Sequence, residues 1–449
     1  MLIYPKSINE INGKRVSMAR ADGKDVLVAD ATAGFSDGTN GEYPLTHQNA
    51  NRLRALFPFT APVRVLTAPR SFGVGDRLGL ACPGHIRVFE TYDARPVFVQ
   101  QSIRELNLTG RTYEDVLDAA TFAVFRDGFK DGFGADGDHL KRPEDIEYAL
   151  SLGFTMITLD LSDHIKPGGA GEIGQIEDRY LGKRFDAGEG LTIEYTAAEL
   201  ARCVAVYGEA VTFAAEMFER FLADGKYDAD FEISIDETSV PTTPAEHFFV
   251  ASELIRMGVR FATIAPRFVG EFQKGIDYIG AVSAFTRDID AHAKIARHFG
   301  YKLSIHSGSD KFSVFPAIGE MTREVFHVKT AGTNWLEAMR ICAQKDPALY
   351  RKAHAFALES FRDATRFYHV STDLSKIPDV KKMEDAALST LFDLPDARQL
   401  IHITYGHILQ NDELKAALYA LWDREAEAYA AALERHIGRH LALLGCPRR

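Results

Sequence analysis

Three histidines in this sequence stand close to the ends of short apolar runs that are typical of β-strands. They are His164, His306 and His327. Neutral imidazole is a common ligand of divalent zinc, manganese, cobalt and nickel, and catalytic metal sites typically combine three protein ligands with an open position. Each histidine could instead be a hydrogen-bonding group at a strand end, but the three together predict a divalent metal site.

Carboxylates suited to proton transfer occupy the same kind of position. They are Asp163, Asp236, Glu237 and Glu271. Beside a metal in an apolar cleft, such groups can be tuned toward the working pH and placed on opposite sides of a substrate. A helix cap or an ion pair at the rim is the competing interpretation for each. Glu237, Glu271 or the amide oxygen of Gln273 could also complete the coordination of a metal.

A set of cations is expected at the same end of the strands. Its members are Lys130, Lys141, Arg267, Lys311 and Lys329. Such a set is what a substrate bearing a carboxylate or a phosphate requires. We expect Lys329, Arg267 and Lys141 to bind substrate, against the alternative of a solvated rim. A lysine at a strand end could also form a Schiff base, so Lys329 is a rival nucleophile.

These residues are positioned by a repeated pattern of strand followed by helix. Eight strand-like runs precede polar or glycine residues and then helix-like segments, at 63–66, 96–99, 123–125, 155–159, 231–235, 260–264, 301–305 and 324–326. Eight such units predict an α/β fold of the (β/α)8 TIM-barrel type, with catalytic groups at the carboxyl ends of the strands. An open nucleotide-binding sheet is less consistent with the sequence, because glycines at 73, 75 and 79 do not have the dinucleotide spacing.

The remainder of the chain predicts two additions to the barrel. Residues 1–60 are expected to form a small β-rich cap, with a hairpin turn at Asp22-Gly23. Residues 61–335 would form the catalytic barrel, and residues 336–449 a helical extension packed on it. The glycine-rich connection at 164–190 has the composition of a flap over a site.

Composition excludes several classes of function. The net charge is −11 with no basic run, which argues against a nucleic-acid partner or an anionic membrane surface. The four cysteines form no Cys-x-x-Cys pair, and no membrane-length apolar segment or export signal is present. We therefore expect a cytoplasmic protein that acts on a small molecule, with homo-oligomerisation left open.

Five motifs carry a resemblance to a known family. They are Gly-Asp-Arg-Leu-Gly at 75–79, Gly-Ala-Asp-Gly-Asp-His-Leu-Lys at 134–141, Ser-Asp-His at 162–164, His-Ser-Gly-Ser-Asp-Lys-Phe-Ser at 306–313, and His-Val-Lys-Thr-Ala-Gly-Thr at 327–333. In this order they resemble the tagaturonate/fructuronate epimerase family over nearly the whole chain. The resemblance implies a divalent-metal-dependent enzyme of hexuronate breakdown that interconverts D-tagaturonate and D-fructuronate.

The resemblance also implies roles for individual residues. Asp163 matches the proton acceptor, Glu271 the proton donor and His164 a metal ligand. His306 and His327 are the expected further ligands, and Gln273 and His402 are kept as substitutes for one of them.

The chemistry of this epimerisation restricts the mechanism. The inverted carbon is β to the ketone, so its hydrogen is not acidified, and we expect retro-aldol cleavage followed by aldol closure on the other face. A Lewis-acidic metal would stabilise the enediolate, and Asp163 and Glu271 would serve the two alkoxides from opposite sides. Transient oxidation by NAD is disfavoured by the missing fingerprint, while dehydration and rehydration stays open.

Two other functions compete with the epimerase. One is an aldolase that releases its fragments, using either a metal or Lys329. The other is a uronate-binding protein without turnover, built on the same barrel.

Overall fold

The computed structural model describes residues 1–166, 168 and 174–449. The chain begins with an antiparallel sheet. Its strands are β1 (Leu2–Ile3), β2 (Asn9–Ile11), β3 (Lys14–Ala21), β4 (Lys24–Ala29) and β5 (Glu42–Tyr43). Asp22 and Gly23 have φ angles of 48° and 77°, so the expected two-residue hairpin joins β3 to β4. Helix α1 (His47–Leu56) follows, capped by the Thr46 hydroxyl, which accepts a hydrogen bond from the backbone of Asn49.

Eight parallel strands then close into a barrel. They are β6 (Arg70–Val74), β7 (Arg95–Ser102), β8 (Gly134–Leu140), β9 (Met156–Asp160), β12 (Asp230–Ile235), β13 (Thr263–Pro266), β14 (Lys302–Ile305) and β15 (Phe326–Thr330). Each strand pairs with its neighbour in chain order, and β15 pairs with β6, with Phe326 opposite Arg70 and Thr330 opposite Val74. The predicted (β/α)8 architecture is therefore confirmed.

Between β9 and β12 the chain forms a short hairpin and two helices. They are β10 (Arg184–Asp186), β11 (Thr192–Glu194), α6 (Glu177–Tyr180) and α7 (Ala197–Phe221). Six residues of the glycine-rich connection that composition assigns to a flap, 167 and 169–173, lie outside the described residues.

The remaining helices surround the barrel or follow it. They are α2 (Cys82–Thr91), α3 (Ile103–Thr109), α4 (Tyr113–Asp127), α5 (Pro143–Ser151), α8 (Pro244–Arg256), α9 (Val282–Phe299), α10 (Phe315–Met321), α11 (Thr333–Lys345), α12 (Pro347–Ala364), α13 (Pro395–Ile403), α14 (Tyr405–Gln410), α15 (Asp412–Arg424) and α16 (Ala426–Leu443). Three of the longer helices, α4, α7 and α8, begin with a threonine capping box, in which an acidic side chain reciprocates the cap. None of the described helices combines the length and apolarity needed to cross a bilayer.

Four of the eight strands differ from the sequence-based prediction. Residues 63–66 are not a strand, since the first barrel strand is β6, and residues 123–125 belong to helix α4. The third barrel strand is instead β8, in which the inward-facing Asp136 and Asp138 interrupt any apolar run. Strands β13 and β15 also lie later than predicted, so His327 is inside a strand and not after it.

Apolar packing holds the additions against the barrel. One core lies between the barrel and its helices, and a second lies among the C-terminal helices around Trp335 and Trp422, whose rings are 5.9 Å apart. The N-terminal sheet and α1 share a further core with α4, in which the ring of Phe57, just after α1, lies 5.3 Å from that of Phe125 on α4. The division into segments 1–60, 61–335 and 336–449 stays a prediction.

Candidate active site

The carboxyl ends of the barrel strands open into a cavity of about 400 Å³, here called the mouth cavity. A second cavity of about 540 Å³ adjoins it. Both are lined by Arg104, Asp236, Glu237, Lys274 and Ser307. The two therefore form one continuous space at the end of the barrel where such folds place their chemistry.

Three potential metal ligands converge on the mouth cavity. His139 lies near the end of β8, Asp160 ends β9 and Glu237 follows β12. One ligand atom from each lies within 4.8 Å of the others, and His139 Nδ1 is 3.4 Å from Asp160 Oδ2. His139 has a φ of 53°, and the pairing of β8 shifts between Gly137 and Leu140. This irregular strand end accompanies the inward position of the His139 side chain.

The charges of this group suit a cation. Burial by itself would raise the pKa of Asp160, but hydrogen bonds from His139 and Ser162 outweigh it and leave that pKa below its usual value. Burial would lower the pKa of His139, but the carboxylates of Asp138 and Asp160 outweigh it and raise that pKa. One imidazole and two carboxylates, with space beside them, are a donor set that a divalent transition metal can use.

His306 lies directly beside this group. Its ring centre is 4.9 Å from that of His139, its Nε2 is 2.7 Å from Glu232 Oε1, and its Nδ1 is 3.0 Å from Asp236 Oδ1. Burial favours the neutral ring, but Asp236 and Glu232 raise the pKa of His306 to about 10. The Nδ1 atom nevertheless lacks a well-oriented hydrogen bond among the described residues. His306 is thus a cationic, incompletely satisfied group at the cavity.

Lys329 lies at the floor of the mouth cavity and is surrounded by acids. Its Nζ is 2.7 Å from Asp136 Oδ2, 2.5 Å from Asp138 Oδ1 and 3.2 Å from Glu232 Oε1. Burial would lower the pKa of Lys329, but these carboxylates raise it well above its usual value. Lys329 therefore neutralises Asp136, Asp138 and Glu232 inside the barrel. The sequence-based interpretation gave these three acids no role.

The histidines assigned as ligands from the sequence are not brought together. His164 Nδ1 lies 3.0 Å from Glu209 Oε1, and its ring stacks on Phe213 of α7 at 4.0 Å. His327 points into the barrel, where Nδ1 is 3.0 Å from the Ser71 hydroxyl, and burial lowers its pKa to about 3. Of the three, His306 lies next to the other candidate ligands.

The predicted acid and base groups line the space from different sides. Asp163 lines the mouth cavity, with Lys141 Nζ 2.8 Å from its Oδ1. Glu271 and Arg267 line the second cavity, and Gln273 Nε2 donates to Glu271 Oε2 at 2.5 Å. Lys141, the partner of Asp163, also lines the mouth cavity.

The two reserve ligands are engaged or enclosed elsewhere. Gln273 Oε1 accepts hydrogen bonds from the Ser371 backbone and hydroxyl and from Gln399 Nε2. His402 is fully buried in α13, and burial together with Arg77 lowers its pKa well below the usual value. Neither side chain lines the mouth cavity.

Sequence reasoning missed four residues of this site, namely His139, Asp160, Arg104 and Lys274. The alternation Asp136-x-Asp138 was the available signal, because acidic residues two apart share one face of a strand. That pattern identifies 134–140 as a barrel strand and places His139 near its carboxyl end.

Comparisons with known proteins agree over nearly the whole chain. A family model described as tagaturonate epimerase matches residues 4–444. The tagaturonate/fructuronate epimerase of Thermotoga maritima is 45% identical over 415 residues, which is 89% of this chain and 85% of the other. A glycerol-complexed crystal structure of fructuronate-tagaturonate epimerase from Cohnella laeviribosi is 46% identical, with a TM-score of 0.95 over 99% of this chain and 97% of that one. The native crystal structure of that enzyme gives a TM-score of 0.94, 46% identity and coverage of 99% and 96%.

Proposed function

This chain belongs to the tagaturonate epimerase family, and we propose that it interconverts D-tagaturonate and D-fructuronate by breaking and re-forming one carbon–carbon bond. The observation that carries this mechanism is the mouth cavity. It combines a group that could hold a cation, His139, Asp160 and Glu237, with the carboxylate of Asp163, which also lines the cavity.

The reaction balances without an added oxidant. A base takes the proton of the hydroxyl on the inverted carbon, that carbon becomes an aldehyde, and the electron pair of the adjoining carbon–carbon bond moves toward the ketone. The aldehyde then turns, the bond re-forms on its other face, and the new alkoxide takes a proton. Two groups on opposite sides are required, because the alkoxide of each epimer points in a different direction.

Asp163 and Glu271 are the proposed pair of acid and base. Asp163 lines the mouth cavity and Glu271 the adjoining one, and the two cavities share Asp236, Glu237 and Lys274 on their walls. Lys141 Nζ donates a hydrogen bond to Asp163 Oδ1 at 2.8 Å, which orients this carboxylate on the wall of the mouth cavity. A substrate lying across the shared wall would meet one group on each side.

We propose that His139, Asp160 and Glu237 hold a divalent cation, with His306 beside them. Zinc, manganese, cobalt and nickel all suit one imidazole with carboxylates. Such an ion would supply Lewis acidity to the oxygens of the substrate. The sequence-based set of His164, His306 and His327 is the competing proposal, and Nδ1 of both His164 and His327 already has a partner.

The test is an epimerisation assay on the metal-loaded protein, followed from both hexuronates by NMR. Conversion in both directions without accumulation of aldehyde is expected. Free aldehyde as the main product would favour the aldolase, and binding of uronate without conversion would favour a binding protein. Solvent deuterium at the inverted carbon would contradict carbon–carbon cleavage, because that carbon keeps its hydrogen throughout.

We propose a cytoplasmic location for this activity. Cys82, Cys203, Cys342 and Cys446 are all buried free thiols. Thiols without disulfide pairing suit a reducing compartment.

A further inference from the structure

Two cations on the wall shared by both cavities have no carboxylate partner within 4.0 Å among the residues that the structure describes. They are Arg104, on α3 just after β7, and Lys274, on the loop between β13 and α9. The other lysines of the mouth cavity differ. Lys141 and Lys329 are both paired with acids at 2.8 Å or less. Arg104 and Lys274 are therefore the cations of this wall with charge left over for a ligand.

Both side chains are held in place by neighbours that leave their charge unneutralised. Lys274 Nζ donates to the Ser307 hydroxyl at 3.0 Å, and Ser307 sits in a turn after β14 with a φ of 50°. The Arg104 guanidinium lies over the ring of Tyr368 at 5.1 Å. Holding such groups before a ligand arrives reduces the entropy lost on binding.

The two charges also act on each other. Burial, and next the nearby Arg104, lower the pKa of Lys274 below its usual value. Placing like charges together is unfavourable unless an anion completes the arrangement. A carboxylate matches the need, because one oxygen can face the guanidinium and the other the ammonium.

We propose that Arg104 and Lys274 bind the carboxylate of the hexuronate and hold the aldehyde fragment while it turns. This inference rests on the proposed function. In the cleavage described above, the carboxylate belongs to the fragment that becomes the aldehyde, separated from the new carbonyl by one carbinol carbon. An anchor at the carboxylate leaves the bonds between it and the aldehyde free to rotate, while preventing escape of the fragment.

The same anchor sets the preference for uronates. An uncharged ketohexose has a hydroxymethyl group in place of the carboxylate and cannot neutralise the pair. Charge-assisted hydrogen bonds contribute about 1.5–3 kcal/mol each, so an anchor of this kind discriminates by about 10- to 100-fold per residue.

The experiment compares Lys274→Met and Arg104→Gln with the wild-type protein, fully loaded with metal. We expect KM for the uronate to rise about 10- to 100-fold, kinetics on an uncharged ketohexose to change less than 3-fold, and released aldehyde to increase. Lys274→Arg should recover most of the affinity. Lys352→Met, on the exposed surface of α12, is the control and should match the wild type.

Calorimetry with D-galacturonate separates failure of the anchor from failure of the proposed function. Loss of binding in both variants, with melting temperatures within a few degrees of wild type, supports the anchor even if no epimerisation is found. Unchanged affinity for D-galacturonate and unchanged uronate KM in both variants would overturn it while leaving the epimerase intact. Absence of binding of D-tagaturonate, D-fructuronate and D-galacturonate by the wild type would overturn both.

Discussion

Lys329 Nζ lies 2.7 Å from Asp136 Oδ2, in the centre of the barrel and not at a free rim. Asp138 and Glu232 complete an acidic shell around the same ammonium. A lysine that the sequence places among substrate-binding groups is thus the counter-ion of the barrel interior, and it forms the floor of the mouth cavity.

The first prediction is that Lys329→Met destabilises the fold. The substitution leaves Asp136, Asp138 and Glu232 buried without their cation, and removing one partner of a buried ion pair costs about 3–5 kcal/mol. Urea unfolding at neutral pH measures the loss. Lys141→Met is the matched control, because its partly exposed pair with Asp163 contributes at most about 1 kcal/mol. Equal stability of the two variants would contradict the counter-ion role.

A second prediction concerns Schiff-base chemistry at the same lysine. The pKa of Lys329 is held well above its usual value, so its amine is protonated and cannot attack a carbonyl. Borohydride added with substrate should leave the mass of the protein unchanged. A substrate adduct located on Lys329 by peptide mapping would establish the aldolase alternative.

The third prediction separates the two proposed sets of metal ligands. His139→Ala should lose most of its bound divalent ion, whereas His164→Ala and His327→Ala should keep theirs, because only His139 belongs to the group at the mouth cavity. Elemental analysis after dialysis gives the metal-to-protein ratio. Full metal content in His139→Ala with loss in His164→Ala would favour the sequence-based set. Activity that survives complete chelation would reject a metal requirement altogether.

The fourth prediction concerns proton transfer. Asp163→Asn and Glu271→Gln should each lower kcat by about 100-fold or more, the usual contribution of a positioned acid or base, with metal content unchanged. Glu413→Gln, exposed on α15, provides the comparison and should retain full turnover. A near wild-type rate in either active-site variant removes that residue from the mechanism.

The fifth prediction concerns the contact between the barrel and the C-terminal helices. Asp310 Oδ1 is 2.6 Å from His436 Nε2 on α16, and Asp310 Oδ2 accepts a hydrogen bond from Arg398 on α13 at 2.6 Å. Asp310→Asn removes the carboxylate that pairs with both cations and leaves His436 only the more distant Glu337, 3.6 Å from its Nδ1. It should lower the free energy of unfolding by about 3–5 kcal/mol at pH 6.

The pH dependence of that difference follows from the two pKa shifts. Burial would raise the pKa of Asp310, but Arg398 and His436 hold it well below its usual value, so its stabilisation is present above about pH 4 and is lost as the pH falls further. The pKa of His436 is raised by Asp310 and Glu337 against the effect of burial, so its contribution is present below about pH 6.5 and is lost as the pH rises through the folded value. The difference between the two proteins should therefore disappear at low pH. As the pH rises through the folded pKa of His436, it should shrink to the part that the Arg398 pair contributes. A pH-independent difference would contradict the ion-pair interpretation.

Strands with continuous apolar runs could be predicted from the sequence. Runs 155–159, 231–235 and 301–305 match β9, β12 and β14 within one residue, because these strands bury apolar side chains between the barrel and its helices. The predicted count of eight strands is correct, although two of the counted runs, 63–66 and 123–125, are not strands. Strands β6 and β8 were not predicted, because glycine, serine and aspartate at their inward positions are residue types that are common in loops. The aspartates of β8 are accommodated inside the barrel because they pair with Lys329 of β15, a contact that the sequence does not show.

The kinds of side chain at the site, and some of the individual residues, could be predicted from the sequence. Residue types at strand ends indicated histidine, carboxylate and cation together, and Asp163, Glu237 and His306 do lie at the mouth. Tertiary structure alone decided that the Asp163 side chain lines the cavity while the adjacent His164 stacks on Phe213. It also brought His139 to Asp160 and left Arg104 and Lys274 without carboxylate partners among the described residues. Direction and pairing of side chains depend on the backbone at each strand end and on neighbours distant in sequence, which a pattern along one chain does not contain.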